Sequence, residues 1–210
     1  MLEKYKIIFW DFDGVLMDSN SIRDVGFEKV LGNYPRKFVQ ELMDFHQANG
    51  GLSRYVKFRY FYENILKQDV SETEIQELAN EFSIIMKSLL LNPQLLIEDS
   101  MNFVKSQFDK GVKMHIVSGS DQEELRFLCR ELEIDRYFIS IHGSPTPKKE
   151  LVKELIDLNE YNKLDIALIG DSINDLEAAN LNGINFFGYN NMSLSDLPKY
   201  ILSLNKSNIF

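Results

Sequence analysis

Cysteine is almost missing from this 210-residue chain, where Cys129 stands alone. No internal disulfide can form, so a stable fold has to come from packing, and a reducing, cytoplasmic location is expected. Proline is scarce, at five residues, and tryptophan is single. Basic residues are outnumbered: 23 Lys and Arg against 32 Asp and Glu give a formal charge of −9. That deficit argues against a broad nucleic-acid surface, yet it leaves room for a local basic pocket around a small anion. No apolar run reaches the length of a membrane span. The first residues lack a basic segment followed by a long apolar one, so neither a membrane partner nor a secretory leader is expected. Internal repeats and low-complexity tracts are missing as well.

What is present is enough apolar material for a core, 44% of residues, with an ordinary 26% charged. Short apolar runs recur as expected strands: Tyr5–Trp10, Lys113–Val117, Phe138–Ile141, Asp165–Ile169 and Ile184–Gly188. Helical spacing fills the gaps between them, for example Leu125, Leu128 and Leu132, where the lone Cys129 reads as packing. Alternating strand and helix implies parallel βαβ units in an open α/β sheet. The stretch after the first strand breaks that rhythm. It reads as helices over Ile22–Leu31, Arg36–Gln47, Ser53–Lys67 and Glu72–Leu90, with Ser71 or Thr73 as a cap for the last. Residues 18–92 are thus expected to form a helical insert in a core of 1–17 and 93–210, with the helix Gln94–Lys110 leading back into the sheet.

Open α/β sheets bind ligands beyond the carboxyl ends of their strands. Four expected strands end there in polar or charged residues. The first runs into Asp11 and Asp13, the second into Ser118 and Gly119, the third into HGSPTPKKE, and the fourth into GDSIND with Asp171 and Asp175. Carboxylates are hard oxygen donors that suit Mg²⁺. A metal would offset their repulsion and admit an anionic phosphate. Lys148, a strand-end hydroxyl and backbone N–H groups are suited to the remaining phosphate oxygens.

In order, DFDGV, VSGS, SPTPKK and GDSIND resemble the four motifs of the haloacid dehalogenase-like hydrolases, and their spacing covers nearly the whole chain. The helical insert sits where that family places a mobile cap, in the manner of phosphoglycolate phosphatase-like and β-phosphoglucomutase-like members. The resemblance implies a Rossmann-like core and a Mg²⁺-dependent phosphatase acting on a small phosphate ester. It makes Asp11 the nucleophile that becomes an aspartyl-phosphate and Asp13 the general acid and base. Ser118 and Gly119 bind phosphate, and Lys148 holds nucleophile and phosphate together. Asp171 and Asp175, with Asp11 and the backbone carbonyl of Asp13, serve the metal. One departure concerns the third motif, where many relatives carry a lysine before a proline. Here Ser144–Pro145 takes that place and the lysines follow, leaving Lys148 favoured over Lys149.

In the insert, Gly50–Gly51 marks a loop and Ser53 a helix start. Arg54 and Lys57 lie three apart and share a helix face. They are expected to bind an anionic or polyhydroxyl part of the substrate, against the plainer reading of a solvated basic face. His46, His115 and His142 read as structural, and the FRYFY cluster (Phe58–Tyr62) mainly as core. A β-phosphoglucomutase-like phosphomutase and a catalytically silent phosphometabolite-binding protein are the alternatives. A monomer or small homo-oligomer is expected.

Overall fold

The computed structural model describes residues 2–205. Its centre is a six-stranded parallel sheet in the order β3-β2-β1-β4-β5-β6. The strands are β1 (Ile7–Trp10), β2 (Lys113–Asp121), β3 (Ser140–Ser144), β4 (Ile166–Gly170), β5 (Asn185–Tyr189) and β6 (Tyr200–Ile201). β1 lies between β2 and β4, with Ile8 opposite both Met114 and Ala167. Alternation along β1 divides the core. Ile8 and Trp10 face a cluster that includes Met101, Val104, Leu125 and Leu128, while Ile7 and Phe9 face one with Leu151, Val152 and Ala179. The first set lies on α5 (Glu98–Asp109) and α6 (Gln122–Glu131), the second on α7 (Lys148–Leu158) and α8 (Ile173–Asn182). Period-two strands buried on both faces give the expected α/β sandwich of Rossmann type.

Four further helices lie in the chain between β1 and β2: α1 (Asn20–Val30), α2 (Arg36–Ala48), α3 (Arg54–Tyr60) and α4 (Glu72–Leu90). Their shared core forms around Phe27, whose ring centroid is 4.5 Å from Phe82 and 5.3 Å from Phe58. Ser53 caps α3, and Ser71 caps α4 in a reciprocal box with Glu74. The expected run Ser53–Lys67 is regular only to Tyr60, after which Phe61–Leu66 widens into a π-turn that buries Phe61. The two connections to the sheet run side by side. Asp18 N donates to Leu95 O at 2.7 Å, and Ile97 N to Leu16 O at 2.9 Å.

Several boundaries differ from the sequence expectation; β2, expected to end at Val117, runs on to Asp121. β3 begins at Ser140, because Asp135–Tyr137 forms a 3₁₀ turn and Ile139 N pairs alone with Met114 O. The helix expected from Gln94 starts at Glu98, since Pro93–Leu95 is a separate 3₁₀ turn capped by Asn92. β6 was not expected; two residues carry too little pattern to announce a strand. Part of the expected C-terminal tail LNKSNIF, residues 206–210, lies outside the described residues.

Candidate active site

Strand order reverses between β1 and β4, which is where an open sheet leaves a crevice. Asp11 follows β1 and Asp171 follows β4. Asp11, Asp171 and Asp175 each turn a carboxylate oxygen toward a common point, all within 4.8 Å of one another. Lys148, the first residue of α7, enters from the third motif with Nζ 2.8 Å from Asp11 Oδ1, and it also pairs with Asp175. Lys149 points outward and is exposed. Asp175 also completes the capping box at the start of α8, whose cap is Ser172. Its Oδ2 accepts from Ser172 N at 3.1 Å and Ser172 Oγ at 2.6 Å, while the Ser172 hydroxyl accepts from Asp175 N. One carboxylate therefore caps a helix and faces the lysine.

Gly14 makes the crowding possible. Its φ of +74° is a left-handed conformation, and a Cβ there would land on the Asp171 carboxylate. Asn20 Nδ2 donates to Asp171 Oδ2 at 3.1 Å. Asn190 and Asn191, after β5, hold the backbone carbonyls of Gly14 (2.8 Å) and Asp171 (2.7 Å).

Burial, and then Asp175, raises the Asp171 carboxyl to about 7. The same two causes raise Asp11 well above the usual carboxylate range, Lys148 opposing them. On Lys148, burial is outweighed by Asp11 and Asp175, and its ammonium is held above the ordinary value. Three carboxylates against one ammonium leave a formal −2, so the donor set fits a divalent cation held by oxygen.

Asp13 is held apart from this cluster. Its Oδ1 accepts from Ser19 Oγ at 2.5 Å and Arg23 Nε at 2.9 Å, and its Oδ2 accepts from Ser120 Oγ. Burial pushes its carboxyl up, but Arg23, Ser120 and Ser19 together bring it below the ordinary value. Two carboxylates two residues apart thus end in different environments. Ser118 is buried and accepts from Ser120 N at 3.1 Å. Ser118 and Gly119 line a cavity of about 380 Å³ together with Asp11, Asp13 and Asp171.

The profile of the haloacid dehalogenase-like hydrolases matches residues 7–189. The chain belongs to that family. The expected family and the expected hydrolase are both borne out. A phosphorylated carbohydrates phosphatase of Thermotoga maritima is 23% identical over 84% of this chain and 81% of that protein. A phosphoglycolate phosphatase of Aliivibrio fischeri is 22% identical over 97% and 98%. Among solved structures, β-phosphoglucomutase of Clostridium difficile superposes with a TM-score of 0.76 at 18% identity, covering 98% and 94%, which shows the shared fold.

In this haloacid dehalogenase-like hydrolase Ser120, Ser172, Asn174 and Asn191 add to the sheet side of the cavity, and residues of the insert line its other side. Arg54 and Lys57 do line it, but neither belongs to a solvated face, being 4% and 2% exposed. Arg54 Nη1 donates to Ser83 Oγ at 2.6 Å and lies 2.7 Å from Glu124 Oε2. Lys57 Nζ meets His46 Nδ1 at 2.7 Å and Gly50 O at 3.1 Å. Burial drives Lys57 down to about 7 and His46 to about 3. Arg23 Nη1 donates to Glu124 Oε1 at 2.5 Å. A buried chain, Asp13–Arg23–Glu124–Arg54, therefore crosses three times between the insert and the sheet side.

Sequence patterns do not single out Asn20, Arg23, Glu124, Asn190 or Asn191. The one available signal was a fifth polar strand end, Asn190–Asn191 after β5. His115 is satisfied by Ser140 and Tyr161, and His142 by Ser140, in keeping with their structural reading.

Proposed function

We propose that this hydrolase is a Mg²⁺-dependent phosphatase that cleaves a small phosphorylated metabolite, a sugar phosphate or phospho-hydroxy acid, through an aspartyl-phosphate on Asp11. The observation that carries the reading is the division of labour between two carboxylates. Asp11 lies against Lys148 in the acidic cluster, while Asp13 is held apart by Ser19, Arg23 and Ser120. The phosphatase names of the two curated relatives support it.

Asp11 and Asp171, with Asp175 beside them and the Asp13 backbone carbonyl, would hold the metal. Bound there, Mg²⁺ supplies positive charge against the carboxylates and the incoming phosphate. Lys148, joined by the charge of a bound cation, would oppose the burial and the Asp175 repulsion that raise the Asp11 carboxyl, so that Asp11 attacks phosphorus as an ionised carboxylate and needs no base. Lys148 keeps that carboxylate aligned and neutralises the transferring group. Ser118 and the backbone after it receive phosphate oxygens. Asp13, held ionised against its burial by Arg23, Ser120 and Ser19, takes a proton from the water that opens the acyl phosphate and carries it, against their pull, to the leaving oxygen of the next turnover. Residues 18–92 act as a cap that closes on the edge of the sheet and keeps bulk water from this exchange.

Release of inorganic phosphate from a panel of phosphate esters, with Mg²⁺ and with chelator, tests the reading. Turnover that needs Mg²⁺ and disappears in Asp11→Asn is expected. Isomer formation without phosphate release would make it a phosphomutase, and no turnover across the panel would leave a binding protein.

A further inference from the structure

Arg23, Arg54 and Lys57 bring positive charge from the insert to the cavity wall. None of that charge is left unbalanced. Glu124, fully buried in the first turn of α6, stands between the two arginines. Its Oε1 lies 2.5 Å from Arg23 Nη1 and its Oε2 2.7 Å from Arg54 Nη1. Arg23 also holds Asp13 through Nε at 2.9 Å. Two guanidinium groups and two carboxylates thus form a neutral set. Lys57 belongs to a second one. Its Nζ meets His46 Nδ1 at 2.7 Å, and His46 Nε2 lies 2.9 Å from Asp24 Oδ1. Burial keeps the His46 ring uncharged at neutral pH, so Asp24 offsets whatever charge Lys57 carries.

Glu124 is the decisive member, because it comes from the sheet side and not from the insert. Its carboxylate is not needed to start α6, which Asp121 caps. A cation already at contact distance from a carboxylate attracts a second anion weakly, since the two fields largely cancel beyond the pair. An anionic group entering this side of the cavity would lose its water and meet no uncompensated cation. An uncharged group meets hydroxyls and amides instead. Ser21, Gln47 and Asn174 line the same cavity, beside the Phe27 and Phe82 rings.

We propose that Glu124 is a specificity residue: by neutralising Arg23 and Arg54 it makes the insert side of the cavity reject leaving groups that carry a second anion. The preferred substrates are then phosphate monoesters whose leaving group is uncharged. The inference rests on the phosphatase reading above. Of the two leaving-group classes named there, it retains the sugar and excludes the hydroxy acid. The scissile phosphate is outside its reach, being received beside Lys148 and Asp11 under that reading.

The test compares 2-hydroxyethyl phosphate with 2-phosphoglycolate, which differ only in a terminal hydroxymethyl group against a carboxylate. Each is made to compete with p-nitrophenyl phosphate hydrolysis in Mg²⁺, so its inhibition constant is read whether or not it is turned over. The parent protein is expected to bind the hydroxyethyl ester about tenfold or more tightly, the range of one interaction with a charged group. Glu124→Gln leaves the arginines in excess and should move that ratio toward phosphoglycolate by about tenfold or more. Arg54→Met leaves Glu124 in excess and should move it the other way. Thermal unfolding shows which variants are folded, and either one suffices. A merely structural role would weaken both esters alike and leave the ratio intact, which overturns the inference. So does a parent that binds phosphoglycolate as well or better. Failure of the parent to hydrolyse p-nitrophenyl phosphate with Mg²⁺ overturns the phosphatase reading and this inference with it. Hydrolysis of that ester with no discrimination between the two competitors overturns this inference alone.

Discussion

Lys148 and Asp11 form a buried ion pair of 2.8 Å between the first turn of α7 and the end of β1, while the side chain of neighbouring Lys149 is exposed. Only one of two adjacent lysines can enter the crevice, because successive residues of a helix point about a quarter-turn apart. Removing Lys148 leaves Asp11 and Asp175 facing each other without their shared cation. Lys148→Met should lower kcat by about a hundredfold or more, on the scale of losing one preorganised charge in a dry site. Lys149→Ala should stay within about twofold. Steady-state phosphate release on the two variants decides the assignment.

Metal affinity should fall in acid. The Asp171 carboxyl is raised to about 7, first by burial and then by Asp175. A proton there competes with a cation, so binding releases protons around neutrality. Apparent Mg²⁺ affinity is expected to weaken steadily from pH 8 to pH 6, and Asp171→Asn should cost more than about tenfold at pH 8. Calorimetric titration in buffers of different ionisation heat measures both affinity and proton release. Affinity independent of pH would contradict the assignment.

Lys57 should leave a signature in stability. Burial lowers its folded value from 10.5 to about 7. Between those limits the unfolded chain binds the proton and the folded chain does not, so stability rises with pH. Below pH 7 the buried ammonium carries its full penalty. Denaturant unfolding of the parent should therefore gain on that of Lys57→Met from pH 7 to pH 10. Parallel curves would place the amine in a different environment.

The proposed closure of residues 18–92 rests on a backbone contact without side chains. A Cβ on Gly119 would land on the Gly51 carbonyl oxygen, so Gly119→Ala pushes the 50–52 loop off the sheet edge. Beside it, Tyr55 Oη donates to Asp121 Oδ2 at 2.7 Å. Tyr55→Phe removes that bond, worth about 1 kcal/mol. Gly119→Ala is expected to reduce kcat/KM on metabolite phosphates more than on p-nitrophenyl phosphate, whose good leaving group needs less shielding and less proton donation. Tyr55→Phe should raise KM by up to about fivefold, in line with the same energy. Equal losses on both ester types would argue against a closing cap.

Much of the site was legible because strand ends carry position in the sequence. A short apolar run that stops at Asp11, Ser118 or Asp171 announces which edge of the sheet the polar residue occupies. Arg23 and Glu124 gave no such sign. Each lies in a helix whose charged residues resemble a solvated face, and only the approach of α1 and α3 to α6 buries them together. Arg54 and Lys57 were visible as a pair on one face. Their partners, Ser83, Glu124, His46 and Gly50, come from elsewhere in the chain, so their commitment to internal contacts was not. The division of Asp11 from Asp13 follows the same rule. Spacing put both at one edge, and tertiary neighbours gave them different surroundings.

The pairing of Asp18 with Leu95 and of Ile97 with Leu16 has a further consequence. The chain leaves the sheet and returns to it through adjoining backbone, so everything between these points hangs from a single narrow neck. The register of β1 with β2 does not depend on what the neck carries. A different set of helices, or a longer one, spliced in beyond Arg23 and before Leu95 would leave Ser19, Asn20 and Arg23 on Asp13 and Asp171. Selection among phosphate esters can then be re-specified without rebuilding the machinery that breaks the bond.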